Sequence, residues 1–223
     1  MNKLLASLGI ALSFVAAPAV FAADDYSPAE QRVFLDQHLA NVPKAATIEY
    51  RYTQSGKPED SFEDVVKLKV GEGSADQRTL AVEFLTGAHK IELPSVEGGV
   101  GNPVILYFLE HDIRSMHDRL GGQQAYFRKR IRLALADVAA TVKPIKLSYK
   151  GKTVDGNEVT IEPYVNDSLK DRFGPFASKA YVFTFSTSVP GGVYEIRTST
   201  AAATGSAAAP AISTTMRISE GKF

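Results

Sequence analysis

Residues 102–135 read NPVILYFLEHDIRSMHDRLGGQQAYFRKRIRLAL, and their placement between two sets of alternating segments decides the fold class. Asn102 is a good helix cap, Pro103 a good first residue, and the run to Leu120 stops at Gly121-Gly122. A second helical segment, from about Gln123 to Ala140, ends before Pro144, so the pair is expected to form an αα-hairpin. VILYFL is apolar all round for more than one turn, which demands burial on every side. The second helix is amphipathic instead. Phe127, Ile131, Ala134, Leu135 and Val138 form one stripe, and Arg128, Lys129, Arg130 and Arg132 fan over the rest.

Before the hairpin, four segments alternate apolar and polar residues: Ile48, Tyr50, Tyr52; Phe62, Val66, Leu68, Val70; Leu80, Val82, Phe84; Ile91, Leu93. Each reads as a strand with one wet face, and the turns GKPED, GEGSAD and TGAH are short enough for an antiparallel meander. After it, Ile145, Leu147 and Tyr149, then Val159, Ile161 and Val165 alternate, separated by a span holding the hairpin signal Asp155-Gly156. A short helix is expected around Ser168 to Phe173. Tyr181, Phe183 and Phe185, then Tyr194 and Ile196, then Ile212, Thr214, Met216 and Ile218 complete the strands, with the small-residue loop AAATGSAAAPA before the last. Ahead of all strands, SPAEQRVFLDQHLANVP starts a helix over 27–41. Ser27 caps it, Pro28 takes its first position, Glu30 closes a capping box, Val33, Leu35, Leu39 and Val42 form its apolar side, and Pro43 ends it.

The sum is an α+β domain. It has a curved antiparallel sheet of about nine strands, with an N-terminal helix and a central helical hairpin packed on its apolar face. A doubly wound parallel sheet would instead alternate apolar strands one for one with helices.

Residues 1–22 combine Lys3, an apolar run and small residues before a cleavage site, the pattern of a secretory signal peptide, leaving 23–223 as a single exported domain. No segment reaches the ~18 apolar residues of a spanning helix. Alternate positions back from Phe223 hold Gly221, Ser219, Arg217 and Thr215, which lack the outward apolar face of a barrel strand. The chain has no Cys, so disulfides, thiolate metal sites and Cys nucleophiles are excluded. It carries 25 Lys+Arg against 25 Asp+Glu, a balance that gives nucleic acid no footprint.

For chemistry, EHDIRSMHD draws the eye first. His111 and His117 sit six apart, which at roughly 100° per residue sets them on different sides of a helix. Arg114 stands between Glu110 and His117, and Glu110, Arg114 and Asp118 read as a surface ladder, so no metal site or cofactor is expected. No G-x-S-x-G elbow occurs. The acids Glu59, Asp60, Glu63 and Asp64 read as solvated, and the glycines of EGGVGNP as a turn into a helix. The basic stretch stands out more. Arg119 through Ala136 hold five cations and no acid in an otherwise balanced chain, the composition that lies on anionic lipid or meets an acidic partner.

The element order loosely resembles the half-barrel carriers of lipoproteins found in bacterial envelopes. The resemblance implies a curled sheet lidded by helices around an apolar cavity, with Tyr50, Tyr52, Phe62, Phe84, Tyr181, Phe183 and Phe185 on the concave side. The same residues also make an ordinary filled core, the favoured reading. The expectation is a periplasmic, non-enzymatic binding or envelope-associated protein. Its partners are an amphiphile such as lipid, an anionic membrane surface or an acidic envelope protein, met through Arg128, Lys129, Arg130 and Arg132. The rival is a periplasmic hydrolase using His111, His117 or Glu110.

Overall fold

The computed structural model describes residues 26–42, 45–57, 60–73, 78–92, 96–97, 101–200 and 212–219. The expected leader, Pro43, Glu59, the 201–211 loop and Phe223 lie outside them. The strands are β1 Ala46–Ser55, β2 Phe62–Val70, β3 Thr79–Phe84, β4 Val96–Glu97, β5 Thr141–Tyr149, β6 Lys152–Ile161, β7 Ala180–Phe185, β8 Val193–Ser199 and β9 Ser213–Ile218. They form one open sheet in the order β4-β3-β2-β1-β9-β8-β7-β6-β5, with every neighbouring pair antiparallel. The first and last strands meet at its centre, Tyr50 opposite Ile218. The chain therefore leaves the sheet at one edge and re-enters at the other, and the connection has to cross a face. Of the α-helices, α1, Pro28–Glu30, precedes the sheet, and α2, Val104–Leu120, and α3, Gln124–Ala136, lie in that connection.

The alternation drives the packing. Ile48, Tyr50, Tyr52, Val66, Leu68, Phe84, Val159, Tyr181, Phe183, Ile196 and Met216 are buried on one face and join the apolar residues of α2 and α3 in a single cluster. The helices thus cover this face of the sheet and take its side chains out of solvent. Phe62, also expected there, is only partly buried. Within VILYFL five of six residues are buried, and Leu106 alone is 51% exposed.

The capping box forms as expected. Ser27 Oγ accepts from Glu30 N–H, and Glu30 Oε2 from Ser27 N–H, each at 3.0 Å. The helix over 27–41 does not run through, however. After Pro28–Glu30 the chain makes a π-helical turn at Gln31–Leu35, extends at Asp36 and resumes as a 3-10 turn at His38–Asn41. His38 Nε2 lies 2.8 Å from the Arg32 carbonyl, which an α-helical Asp36 N–H would otherwise take; that N–H bonds Gln31 O instead. Leu35, expected on the apolar side, is 37% exposed as a result.

Four further expectations shift. Asp155-Gly156 is not a turn. It lies inside β6, where a Cβ on Gly156 would sit 2.7 Å from the Phe185 carbonyl oxygen, so the glycine permits close backbone approach. The β5–β6 turn uses Lys150 and Gly151, at φ 49° and 73°. Ile91 makes only an isolated bridge to Phe84, and the fourth strand comes later, at Val96–Glu97. Val165 follows the end of β6 and stands 41% exposed. Val138, placed on the apolar stripe by extending the helix to Ala140, is fully exposed, because the backbone turns extended at Asp137.

Candidate functional site

The α3 helix is fixed by its apolar stripe. Phe127, Ile131 and Leu135, one turn apart, are buried, and the Phe127 ring lies 6.1 Å from Tyr164 and 6.2 Å from Phe173. Ser27 Oγ donates to Leu135 O at 2.5 Å, tying the N-terminal segment to the end of the helix. The opposite face presents Ala125, Lys129, Arg132, Leu133 and Ala136 to solvent.

The four cations that the sequence nominates divide into two pairs. Arg128 Nη2 donates to both Glu110 carboxylate oxygens, at 3.0 and 2.9 Å, which clips α3 to α2. Arg130 meets Asp167 Oδ2 at 2.7 Å and Pro163 O at 3.1 Å. Asp167 is buried and also accepts from Tyr126 Oη at 2.6 Å and Leu169 N–H at 2.7 Å, so Arg130 balances a desolvated carboxylate. Lys129 and Arg132 are exposed and make no ion pair among the described residues. Beside them a cleft of about 480 Å³ opens between the end of α3 and the ends of β5 and β6. Leu133, Ala134, Ala140, Ile161 and Val165 give it an apolar wall, and Leu133 at its mouth is 43% exposed.

The three residues of the hydrolase reading point in different directions. His111 Nδ1 shares a hydrogen bond with Tyr52 Oη at 3.1 Å, and burial holds its pKa below the ordinary histidine value, with Asp112 pulling the other way. His117 bonds the Gly122 carbonyl through Nδ1 at 2.7 Å, across the hairpin turn. Glu110 is engaged by Arg128 and lies 3.8 Å from Arg114, while Asp118, the last rung of the expected ladder, makes no ion pair among the described residues. Among the described residues no three His, Asp or Glu side chains gather as a metal site would require.

Two buried polar networks went unread in the sequence. Asp112, in the middle of α2, takes a hydrogen bond from Lys179 Nζ at 2.5 Å and another from Tyr181 Oη at 2.6 Å, with Asp112 only 6% and Lys179 only 5% exposed. Spacing held the signal for both. Asp112 falls four residues after Phe108 and four before Met116, on the buried stripe, and Lys179 precedes Tyr181, Phe183 and Phe185 at the same alternate spacing. Asn102 is the second hub. Its Oδ1 accepts from Val104 N–H at 3.1 Å, and its Nδ2 donates to Tyr50 Oη at 2.9 Å and Gly191 O at 2.8 Å.

No family model matches the chain, and no curated protein is similar to it in sequence. Among solved structures it is similar to the lipoprotein LppX of Mycobacterium tuberculosis, at 10% identity over 82% of this chain and 90% of that one, with a TM-score of 0.33. Among the described residues no helix is long and apolar enough to cross a membrane.

Proposed function

We propose that the protein is an exported, non-enzymatic envelope component that binds anionic lipid surfaces through the outer face of α3. One observation carries this reading. Lys129 and Arg132, unneutralised among the described residues, stand beside exposed Leu133, which lines a cleft whose wall is part apolar, from Leu133, Ala134 and Ile161, and part polar, from Asp137, Thr160 and Glu162. An interfacial helix works by pairing cations for the anionic headgroups with apolar side chains for the acyl boundary. Export rests on the leader pattern of residues 1–22.

Co-sedimentation of the mature protein with phosphatidylglycerol vesicles tests this. Binding is expected, weakened by salt and absent with phosphatidylcholine alone. Each basic residue near an anionic surface contributes about 1 kcal/mol, so K129E/R132E should weaken binding at least tenfold. Arg128→Glu, which alters a cation already held by Glu110, should weaken it less. Wild-type protein that stays in the supernatant with anionic vesicles at low salt would sink the reading.

A further inference from the structure

A second cavity, of about 560 Å³, lies between the N-terminal helical segment, the middle of β6 and the end of β7, lined among others by Gln37, His38, Ala40, Gly156, Asn157 and Phe185. Its size is that of a small-molecule site, a range of roughly 300–1,000 Å³. The chemistry of its wall narrows the ligand.

The floor is flat and uncharged. His38 stacks on Phe185 with ring centroids 5.1 Å apart and planes 5° from parallel. Both ring nitrogens of His38 are used inside the fold, Nε2 toward Arg32 O at 2.8 Å and Nδ1 toward the Asn102 N–H at 3.3 Å, a pattern that the neutral Nε2–H tautomer satisfies completely. The rim charges cancel locally, since Arg32 meets Asp36 at 2.6 Å and Asp155 meets Lys146 at 2.5 Å. Asn41 is spent as well, its amide held by Thr187 O, Val189 O and Gly191 N–H, and Ser186 Oγ donates to Asp155 O. Gln37, Asn157 and the Thr187 hydroxyl remain. Gln37, which is exposed, and Asn157, which is half-buried, line the cavity, and their side-chain amides make no hydrogen bond among the described residues.

We propose that this cavity binds an uncharged, largely apolar ring compound that stacks toward the His38–Phe185 floor and hydrogen-bonds to Gln37 or Asn157. A charged ligand would find no counter-charge that is not already paired, and a fully apolar one would leave both amides facing it without partners. The site is separate from the α3 face and does not depend on what that face binds.

N-phenyl-1-naphthylamine, an uncharged aromatic amine with one N–H, is the probe. Fluorescence titration should show saturable one-to-one binding to the wild type. 8-Anilino-1-naphthalenesulfonate, a similar ring system bearing a sulfonate, should bind at least tenfold more weakly. Ala40→Phe, which grows an exposed wall residue into the space, should weaken naphthylamine binding at least tenfold, while Leu133→Glu should leave it unchanged. Amide chemical-shift mapping on the wild type keeps the test independent of how the variant folds: the largest shifts should fall on Gly156, Asn157 and Gly192. Absence of saturable binding, equal binding by the folded Ala40→Phe protein, or shifts centred on Leu133 and Val165 would each overturn the proposal.

Discussion

The two helices of the hairpin are neighbours in sequence and in space, yet Asp112 of α2 and Arg128 of α3 meet their partners in opposite settings. α2 is sunk in the core, and its mid-helix Asp112 is buried against Lys179 and Tyr181. α3 buries a narrow stripe; its Arg130 meets the buried carboxylate of Asp167, while Arg128 reaches Glu110 across partly solvated space. The contrast teaches that the number of charges on a helix says little about what they contribute. A single desolvated carboxylate governs more stability than several wet guanidinium groups.

The sharpest way to break the comparison is Asp112→Leu. It strands the Lys179 ammonium in the core and should cost about 3–5 kcal/mol in urea unfolding. The double change Asp112→Leu/Lys179→Met should recover most of that, because it removes the second charge together with the first. A double variant no more stable than the single one would show that the pair is not the cause.

Asn102→Ala comes next. It removes a cap from α2 and leaves the buried Tyr50 hydroxyl and the Gly191 carbonyl without that donor, an expected loss of about 1–3 kcal/mol by the same measurement.

Acid should weaken α2 and its surroundings while leaving the contacts of α3 intact. Burial lowers the pKa of both His38 and His111 below the ordinary histidine value of 6.5. Below that value the unfolded chain takes up protons that the folded one refuses, so stability rises with pH. The contribution is complete above the unfolded pKa and is lost as pH falls toward the folded ones. The slope has a ceiling of about 1.4 kcal/mol per pH unit for each histidine. Denaturation at a series of pH values should show this decline, and His111→Gln should flatten it. An unchanged slope would assign the acid sensitivity elsewhere.

The smallest effect is expected for Arg128→Ala, at about 0–1 kcal/mol, because the Arg128 side chain is 52% exposed and water screens the pair. A loss as large as that of Asp112→Leu would erase the distinction between the helices.

Periodicity made much of this legible. The alternating strands, the capped first turn and the two helices broken by Gly121-Gly122 follow from local pattern, and the sheet closes over the residues that the alternation nominates. Boundaries failed where a tertiary contact competed with a local one. The His38 ring takes a carbonyl from the N-terminal helix, and the approach of Phe185 puts Gly156 inside a strand that its sequence would end. At the proposed surface, the sequence listed four equivalent cations along one helix. It held no sign that Glu110 and Asp167 would engage two of them, since Asp167 lies 37 residues beyond Arg130 in a different part of the chain.

By itself, then, the sequence determined the class of the fold, the two faces of each strand and the amphipathic character of α3, because these depend on spacings within one segment. Only the tertiary structure decided that the hairpin covers the apolar face of the sheet, which of the four cations stay exposed and unpaired among the described residues, and that Asp112 meets Lys179 across 67 residues of chain. These depend on which distant segments share a neighbourhood, and strand order sets that: with β1 and β9 at the centre, the hairpin must cross the sheet, and its charges meet partners that no local pattern announces.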